Sequence, residues 1–364
     1  MSLLEVTDLR VSFPTADGVV QAVRGVSFSI EPGRTLGIVG ESGSGKTVLT
    51  QSLLGLTPGG QISGKAVFDG VNLVGLAPRE MQKIRGKDIA VIFQDPLTSL
   101  HPLYKVGWQI SEMIRAHDKT ISKAAATQRA IELLGHVGIP RPAERVNDYP
   151  HQFSGGMRQR AMIAMAISLN PKLIIADEPT TALDATVQAQ ILDLLLRLQQ
   201  DSDTALLMIT HDLGVVADIA DDVMVMYAGR AAEKATKHDT FYAQHHPYTK
   251  GLLESIPRSS AAGTRLRPIT GQPPSLINIP AGCAFHPRCA YVMDRCLTDE
   301  PGLHPVGGAD EHLSACWLPA GAVGLAETAE ESRLQAVELG RTSSAAEVAE
   351  AIASAPESEG SMLR

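Results

Sequence analysis

Apolar and polar positions alternate through residues 3–30, with turn signals at Pro14 and Gly18. A period of two predicts two or three antiparallel strands. A short apolar run follows at Leu36, Ile38 and Val39, and then a helix-forming stretch from Val48 to Leu56. Further short strands are predicted around Val67 and over Ile89–Phe93. Between 97 and 168 the spacing turns helical, through Trp108, Ile110, Met113 and Ile114 and again through Ile131, Leu133 and Leu134. Three apolar runs then recur at Leu173–Ala176, Ala205–Ile209 and Val223–Tyr227, the first two separated by a helix over Val187–Gln199. Short runs without polar alternation suit a parallel sheet covered on both faces, and strand–helix–strand order predicts an α/β core. No internal repeat is present.

The pattern changes after about residue 232. Proline, glycine and all four cysteines gather between 247 and 319, and from 321 the chain is rich in Ala, Glu and Ser, with eight acids against three bases. These breaks predict a core domain over 1–231 with its helical part at about 97–168, an extension over 232–320, and a disordered or loosely helical acidic tail over 321–364.

Composition adds exclusions. The chain has 364 residues, enough for two domains, and a hydrophobic fraction of 44%, ordinary for a globular protein. A net charge of −8 without a sizeable Lys/Arg block argues against duplex nucleic acid as the main partner. The N-terminus lacks the apolar core of a signal peptide. The longest apolar stretch, near Ala161 to Leu169, is about half of the roughly 20 residues a membrane span needs. The expectation is a cytoplasmic chain able to sit on a membrane through a partner.

Chemistry enters at residues 40–47, Gly-Glu-Ser-Gly-Ser-Gly-Lys-Thr, between an apolar strand and a helix. The glycines permit positive φ and let backbone N–H groups close on phosphate oxygens. The helix start adds its positive end. Lys46 can reach β- and γ-phosphates, and the Thr47 hydroxyl can bind Mg²⁺. Gly40, Glu41, Ser42, Gly43, Ser44, Gly45, Lys46 and Thr47 are therefore the candidate phosphate loop. An ordinary glycine-rich turn would leave Lys46-Thr47 at the helix start unexplained. The later apolar strand ends in Asp177-Glu178. Asp177 stands where Mg²⁺ needs an oxygen partner, and Glu178, expected on the opposite side of the pleat, could polarise a water for attack on the γ-phosphate.

With these parts in place the chain, over about residues 3–320, resembles the nucleotide-binding subunit of an ATP-binding cassette (ABC) transporter. The resemblance implies an α/β P-loop NTPase ABC cassette: a RecA-like parallel-sheet core, an antiparallel β subdomain and a helical subdomain, here followed by a small C-terminal Cys-rich extension. Gln94, in Ile92-Phe-Gln-Asp-Pro, matches the Q-loop, which senses Mg²⁺ and contacts the membrane subunit. Phe153-Ser-Gly-Gly-Met157 matches the signature motif, Thr181-Ala-Leu-Asp184 the D-loop, and His211 the switch histidine. Phe13 falls where the family sets an aromatic ring against adenine, although a core residue of an apolar strand would look the same.

The signature has its own physical logic. Ser154 offers a hydroxyl, and Gly155 and Gly156 expose N–H groups at a helix start, which makes a second anion cradle. In the family it completes the ATP site of the opposite subunit, and the resemblance counts Asp184 of the D-loop among the nucleotide-binding residues. Phe153 and Met157 depart from the usual Leu-Ser-Gly-Gly-Gln, whereas the phosphate-touching residues are kept. A neutral His211 imidazole can hydrogen-bond the γ-phosphate and the attacking water. The implied roles are catalysis for Glu178, His211 and Gln94, and Mg²⁺ ligation for Thr47, Gln94 and Asp177.

The cysteines are spaced Cys283-x5-Cys289-x6-Cys296-x19-Cys316. In a cytosolic chain such clustering favours a metal over disulfides, and four thiolates suit Zn²⁺ or an iron–sulfur cluster. The spacing matches neither zinc ribbons nor bacterial ferredoxins and leaves zinc, a cluster or no metal open. The segments His246-Pro-Tyr-Thr249, Gly271-Gln-Pro-Pro and Gly282-Cys-x-Phe-x-Pro-Arg-Cys289 are similar to the C-terminal extension of oligopeptide and dipeptide importer ATPases. In that subfamily four cysteines are associated with a [4Fe-4S] cluster, which the resemblance implies here as a staple. His246-Pro-Tyr248 alone also reads as a packed corner.

The resemblance implies an ATPase subunit that powers import of di- and oligopeptides at the cytoplasmic face of the membrane. Its partners would be a second ATPase chain, two permeases and an extracytoplasmic binding protein. The same machine importing nickel or oligosaccharides is the near alternative. A soluble ABC ATPase of iron–sulfur assembly or translation is the distant one.

Overall fold

The computed structural model describes residues 2–181, 183–255 and 269–323, apart from the side chains of 97 and 98. The tail expected over 321–364 therefore lies outside the described residues except for 321–323. Two sheets and a set of helices organise the rest. The smaller sheet runs in the order Gly18–Ile30, Leu4–Thr15, Gln61–Phe68, Val71–Asn72, all antiparallel. The larger has eight strands in the order His304–Val306, Ala309–Ser314, Arg230–Thr236, Asp222–Tyr227, Thr35–Val39, Ala205–Ile209, Leu173–Asp177, Ile89–Ile92. Pairing is parallel from Asp222–Tyr227 through Thr35–Val39 to Ile89–Ile92. It is antiparallel from Asp222–Tyr227 outward to His304–Val306.

The central strands are buried at every residue because both faces are covered. Leu173, Ile175, Leu207 and Ile209 face the antiparallel sheet and pack with Leu4, Val11, Phe28 and Leu49. Ile174, Ala176, Leu206 and Met208 face the other way and pack with Leu134, Ile163 and Ile191 of the helices. Farther along the same face, Val223, Val225 and Tyr227 pack against Tyr248 and Phe285, so the extension rests directly on the main sheet.

Helices over Val106–His117, Lys123–His136 and Gly155–Ala166 fill the region expected to be helical. The helix after the phosphate loop spans Lys46–Leu53 rather than Val48–Leu56, and it stops before Gly55, which has φ 59°. The helix expected over Val187–Gln199 extends over Ala185–Ser202, because the Asp184 carboxylate accepts from the Val187 N–H and caps its start. Trp108, counted in the apolar spacing of its helix, is 47% exposed and stacks on exposed Tyr104 with ring centroids 4.3 Å apart. The hairpin His304–Ser314, which lengthens the main sheet, had no counterpart in the sequence reading; its residues are too polar for an apolar run. Among the described residues no helix is long and apolar enough to cross a membrane.

Candidate functional site

The strand Thr35–Val39 delivers the chain into a loop over 40–45 at the carboxyl ends of the parallel strands. Two glycines there are sterically required. Gly40 has φ 150° and Gly45 φ 100°, and a Cβ at either would strike a backbone carbonyl, that of Met226 or of Ala22. The loop encloses Lys46, whose ammonium donates to the Gly40 carbonyl at 2.7 Å and the Glu41 carbonyl at 3.0 Å. Burial holds the Lys46 pKa below its ordinary value, against the opposing charges of Glu178, Asp177 and Glu41. The buried Ser44 hydroxyl has no partner among the described residues. A buried lysine satisfied only by carbonyls and an orphaned hydroxyl, inside a loop opened by glycines, fit a phosphate chain.

Thr47 and Asp177 are brought together across the base of the loop, the Thr47 hydroxyl donating to the Asp177 carboxylate at 3.2 Å. Burial raises the Asp177 pKa; the Thr47 bond and Lys46 oppose the rise and the Glu178 charge adds to it. A hydroxyl facing a carboxylate is a hard-oxygen donor set of the kind Mg²⁺ takes.

Glu178 leaves the strand in a left-handed conformation, φ 46°, its N–H donating to the Ile209 carbonyl at 2.9 Å. Its direction thus comes from a strained backbone and not from the alternation of the pleat. The turn aims its carboxylate at three partners. Gln94 Nε2 donates at 3.1 Å and the Thr181 hydroxyl at 2.9 Å, and His211 Nδ1 lies 3.3 Å from the other oxygen. Residues from three separate strand ends thereby meet beside the phosphate loop.

These groups open onto a cleft of about 780 Å³, lined at one end by Lys46, Thr47, Gln94, Glu178 and His211 and at the other by Phe13, Val20, Ala22 and Leu276. Phe13 lies against Gly60, where a Cβ would stand 3.1 Å from the ring. Ser154, Gly155, Gly156 and Asp184 do not line this cleft. Ser154 caps the helix Gly155–Ala166 by accepting from the Met157 N–H at 3.3 Å. A Cβ on Gly156 would meet Val187, so the helices begun by Ser154 and Asp184 are packed start to start.

In the extension, burial first and the charges of neighbouring thiols next raise the Cys283 pKa, push Cys289 up to about 11 and push Cys316 up to about 12. The thiols thus share one neighbourhood, with the Cys283 N–H donating to the Cys296 carbonyl at 2.9 Å. Yet among the described residues no three His, Cys, Asp or Glu side chains are set to hold a metal ion. The expected [4Fe-4S] or Zn²⁺ site is not formed by this arrangement.

Sequence reasoning missed several residues at the cleft and its loop, Val20 and Ala22 of the lining among them. Leu276 lines the cleft, Arg288 bonds Glu41, and Tyr248, read as a packed corner, accepts from the Glu41 N–H. Contacts of this kind cross more than 200 residues of chain and leave no local pattern.

The sheet order and the phosphate loop define a P-loop ATPase of the ATP-binding cassette type. Residues 23–181 match the ABC transporter family, and residues 232–296 match the oligopeptide/dipeptide transporter, C-terminal region. The chain is 54% identical over 320 residues to the oligopeptide transport ATP-binding protein OppD of Bacillus subtilis (strain 168), covering 87% of this chain and 88% of that one. It is 51% identical over 319 residues to the dipeptide transport ATP-binding protein DppD of the same organism, covering 87% and 94%. Among solved structures, the dimeric ATP-binding cassette MJ0796 in a post-hydrolysis state with ADP and Pi superimposes with a TM-score of 0.59 at 25% identity, covering 64% of this chain and 98% of that one. The chain belongs to the ABC transporter family, among its oligopeptide and dipeptide transport ATP-binding proteins.

Proposed function

We propose that this chain hydrolyses ATP to drive import of di- and oligopeptides, docked at the cytoplasmic face of a membrane on two permeases and fed by an extracytoplasmic binding protein. The observation that carries the ATPase half is the meeting of Gln94, Glu178 and His211 beside the phosphate loop. The relatives named for peptide transport support the cargo. Phe13 would stack on the base, the phosphate loop with Lys46 would wrap the phosphates, and Thr47, Asp177 and Gln94 would hold Mg²⁺, which would supply neutralisation of phosphate charge when bound. Glu178 takes the proton of the attacking water, and His211 steadies Glu178 and the γ-phosphate. Ser154, Gly155, Gly156 and Asp184, placed apart from the cleft, serve the cleft of a second ATPase chain, which we take to be a different polypeptide. The units of this reading are a nucleotide-binding domain over 1–231 and the extension over 232–320.

Exposed Leu103, Tyr104 and Trp108 lie on the helical part downstream of Gln94. An apolar patch of this kind suits a permease contact. With permeases, partner ATPase and binding protein in vesicles, peptide should accelerate ATP hydrolysis. Trp108→Asp should weaken co-purification with the permeases about tenfold while ATP binding by the chain is kept. Stimulation by nickel or an oligosaccharide in place of peptide would redirect the cargo.

In the same reading the four thiols carry a [4Fe-4S] cluster, with Zn²⁺ as the alternative. The resemblance and the shared neighbourhood of the thiols support it, and the donor geometry does not. Anaerobically purified protein should be brown and carry about four irons per chain; zinc or no metal in that preparation would remove the cluster.

A further inference from the structure

We propose that the C-terminal extension is a working part of the nucleotide site, with Arg288 and Tyr248 as positioning residues that fix Glu41 and, through it, Lys46. The proposal rests on the ATP reading above.

Glu41 has three polar groups, and each is held. Its carboxylate takes both terminal nitrogens of Arg288, at 2.6 and 2.8 Å. Its N–H donates to the Tyr248 hydroxyl oxygen at 2.8 Å. Its carbonyl accepts from Lys46 at 3.0 Å. Two of the three grips come from the extension, and the third is the lysine that meets phosphate.

The grips are rigid. The Arg288 side chain is 4% exposed. Its Nε also donates to the Thr270 carbonyl at 3.0 Å and its Nη1 to the Tyr227 hydroxyl at 3.3 Å. Tyr248 is fully buried, its ring centroid 4.6 Å from that of Tyr227 and 5.4 Å from that of Phe285. By contrast the loop on either side of Glu41 contains Gly40 and Gly43, both at positive φ, and would wander without an anchor. A two-pronged, charge-assisted bond fixes orientation as well as distance. Fixing Glu41 sets the loop amides and the Lys46 ammonium before nucleotide arrives, so less order has to be imposed on binding. The base end shows the same dependence: Leu276 lines the cleft and its carbonyl accepts from the Gln21 N–H at 2.9 Å.

The test uses the intact chain with Mg²⁺ and a fluorescent ATP analogue, and steady-state hydrolysis with the partner ATPase. Arg288→Ala and Glu41→Gln should each weaken binding about tenfold and raise KM alike, with kcat at saturating ATP changed less than about threefold. The double variant should bind no more weakly than either single one, because both remove one bond. Tyr248→Phe should weaken binding about threefold, and Arg288→Lys should recover part of the loss. Should Arg288→Ala not fold, Arg288→Lys and Glu41→Gln provide the same comparison. Wild-type affinity in the folded single variants, or losses that multiply in the double, would overturn the inference. Lys46→Ala runs in parallel. Binding that needs Lys46 but ignores Arg288 sinks only this inference, whereas a wild-type chain that binds no ATP sinks the nucleotide reading with it.

Discussion

Glu178→Gln is expected to bind ATP as the parent does and to turn it over about 10²–10⁴-fold more slowly, the usual scale for a missing general base. The amide has nearly the same shape and can still accept from Gln94 Nε2 and the Thr181 hydroxyl, which meet one carboxylate oxygen. The left-handed backbone at 178 is no harder for glutamine than for glutamate. What is lost is the basic oxygen that faces His211. Single-turnover hydrolysis with the partner chain, beside a binding titration, checks both halves. Hydrolysis near the parent rate would remove Glu178 from the role of base.

The second large effect is acid sensitivity of the extension. His246 is buried, and burial first, with His245 adding and Glu233 and a bond to the Ala315 backbone opposing, lowers its pKa to about 4 from 6.5. The unfolded chain therefore takes the proton near pH 6.5 while the folded chain refuses it until about pH 4. Between these values the unfolded state binds more protons, so stability rises with pH across the window and is complete above it. The span corresponds to about 3 kcal/mol. Its structural content is direct: neutral His246 Nδ1 accepts from the Tyr248 N–H at 3.0 Å and caps the helix Pro247–Glu254. Glu233 acts in the same direction at lower pH. Burial alone would raise its pKa, but the His312 imidazole and the His245 N–H bonded to its carboxylate outweigh burial and hold it below 4.5. Its contribution is present above that value and lost as pH falls through the folded one. Urea unfolding between pH 4 and 8 should show the slope, and His246→Asn, which can still cap, should flatten it above pH 4.5. An unchanged slope in that variant would assign the sensitivity elsewhere.

The parts legible in the sequence share a property: each is a local pattern whose physics is complete within a few residues. Gly40 to Thr47 announce a loop and helix start, and the apolar runs ending at Asp177 and before His211 announce parallel strands with chemistry at their ends. Ser154 could be read because a hydroxyl ahead of two glycines at a helix start is a local pattern, whereas Asp184 entered only through the resemblance and its capping of the next helix went unread. The turn at Glu178 was not legible, since glutamate has no special preference for positive φ and only the surrounding structure holds it there. Trp108 was misplaced because helical spacing cannot tell a core face from a face that waits for a partner. The clamp of Arg288 and Tyr248 on Glu41 was hidden for a third reason. It joins residues whose separation of 247 and 207 positions no periodicity spans.

The short hairpin at the margin of the main sheet carries a last consequence. Its outermost strand, His304–Val306, is three residues long and has Pro305 at its centre, which lacks an N–H to offer a neighbouring chain. An open border next to Arg230–Thr236 would invite stacking of one copy on another wherever many copies crowd together. The hairpin blunts that border and leaves the main sheet a poor template for a second copy.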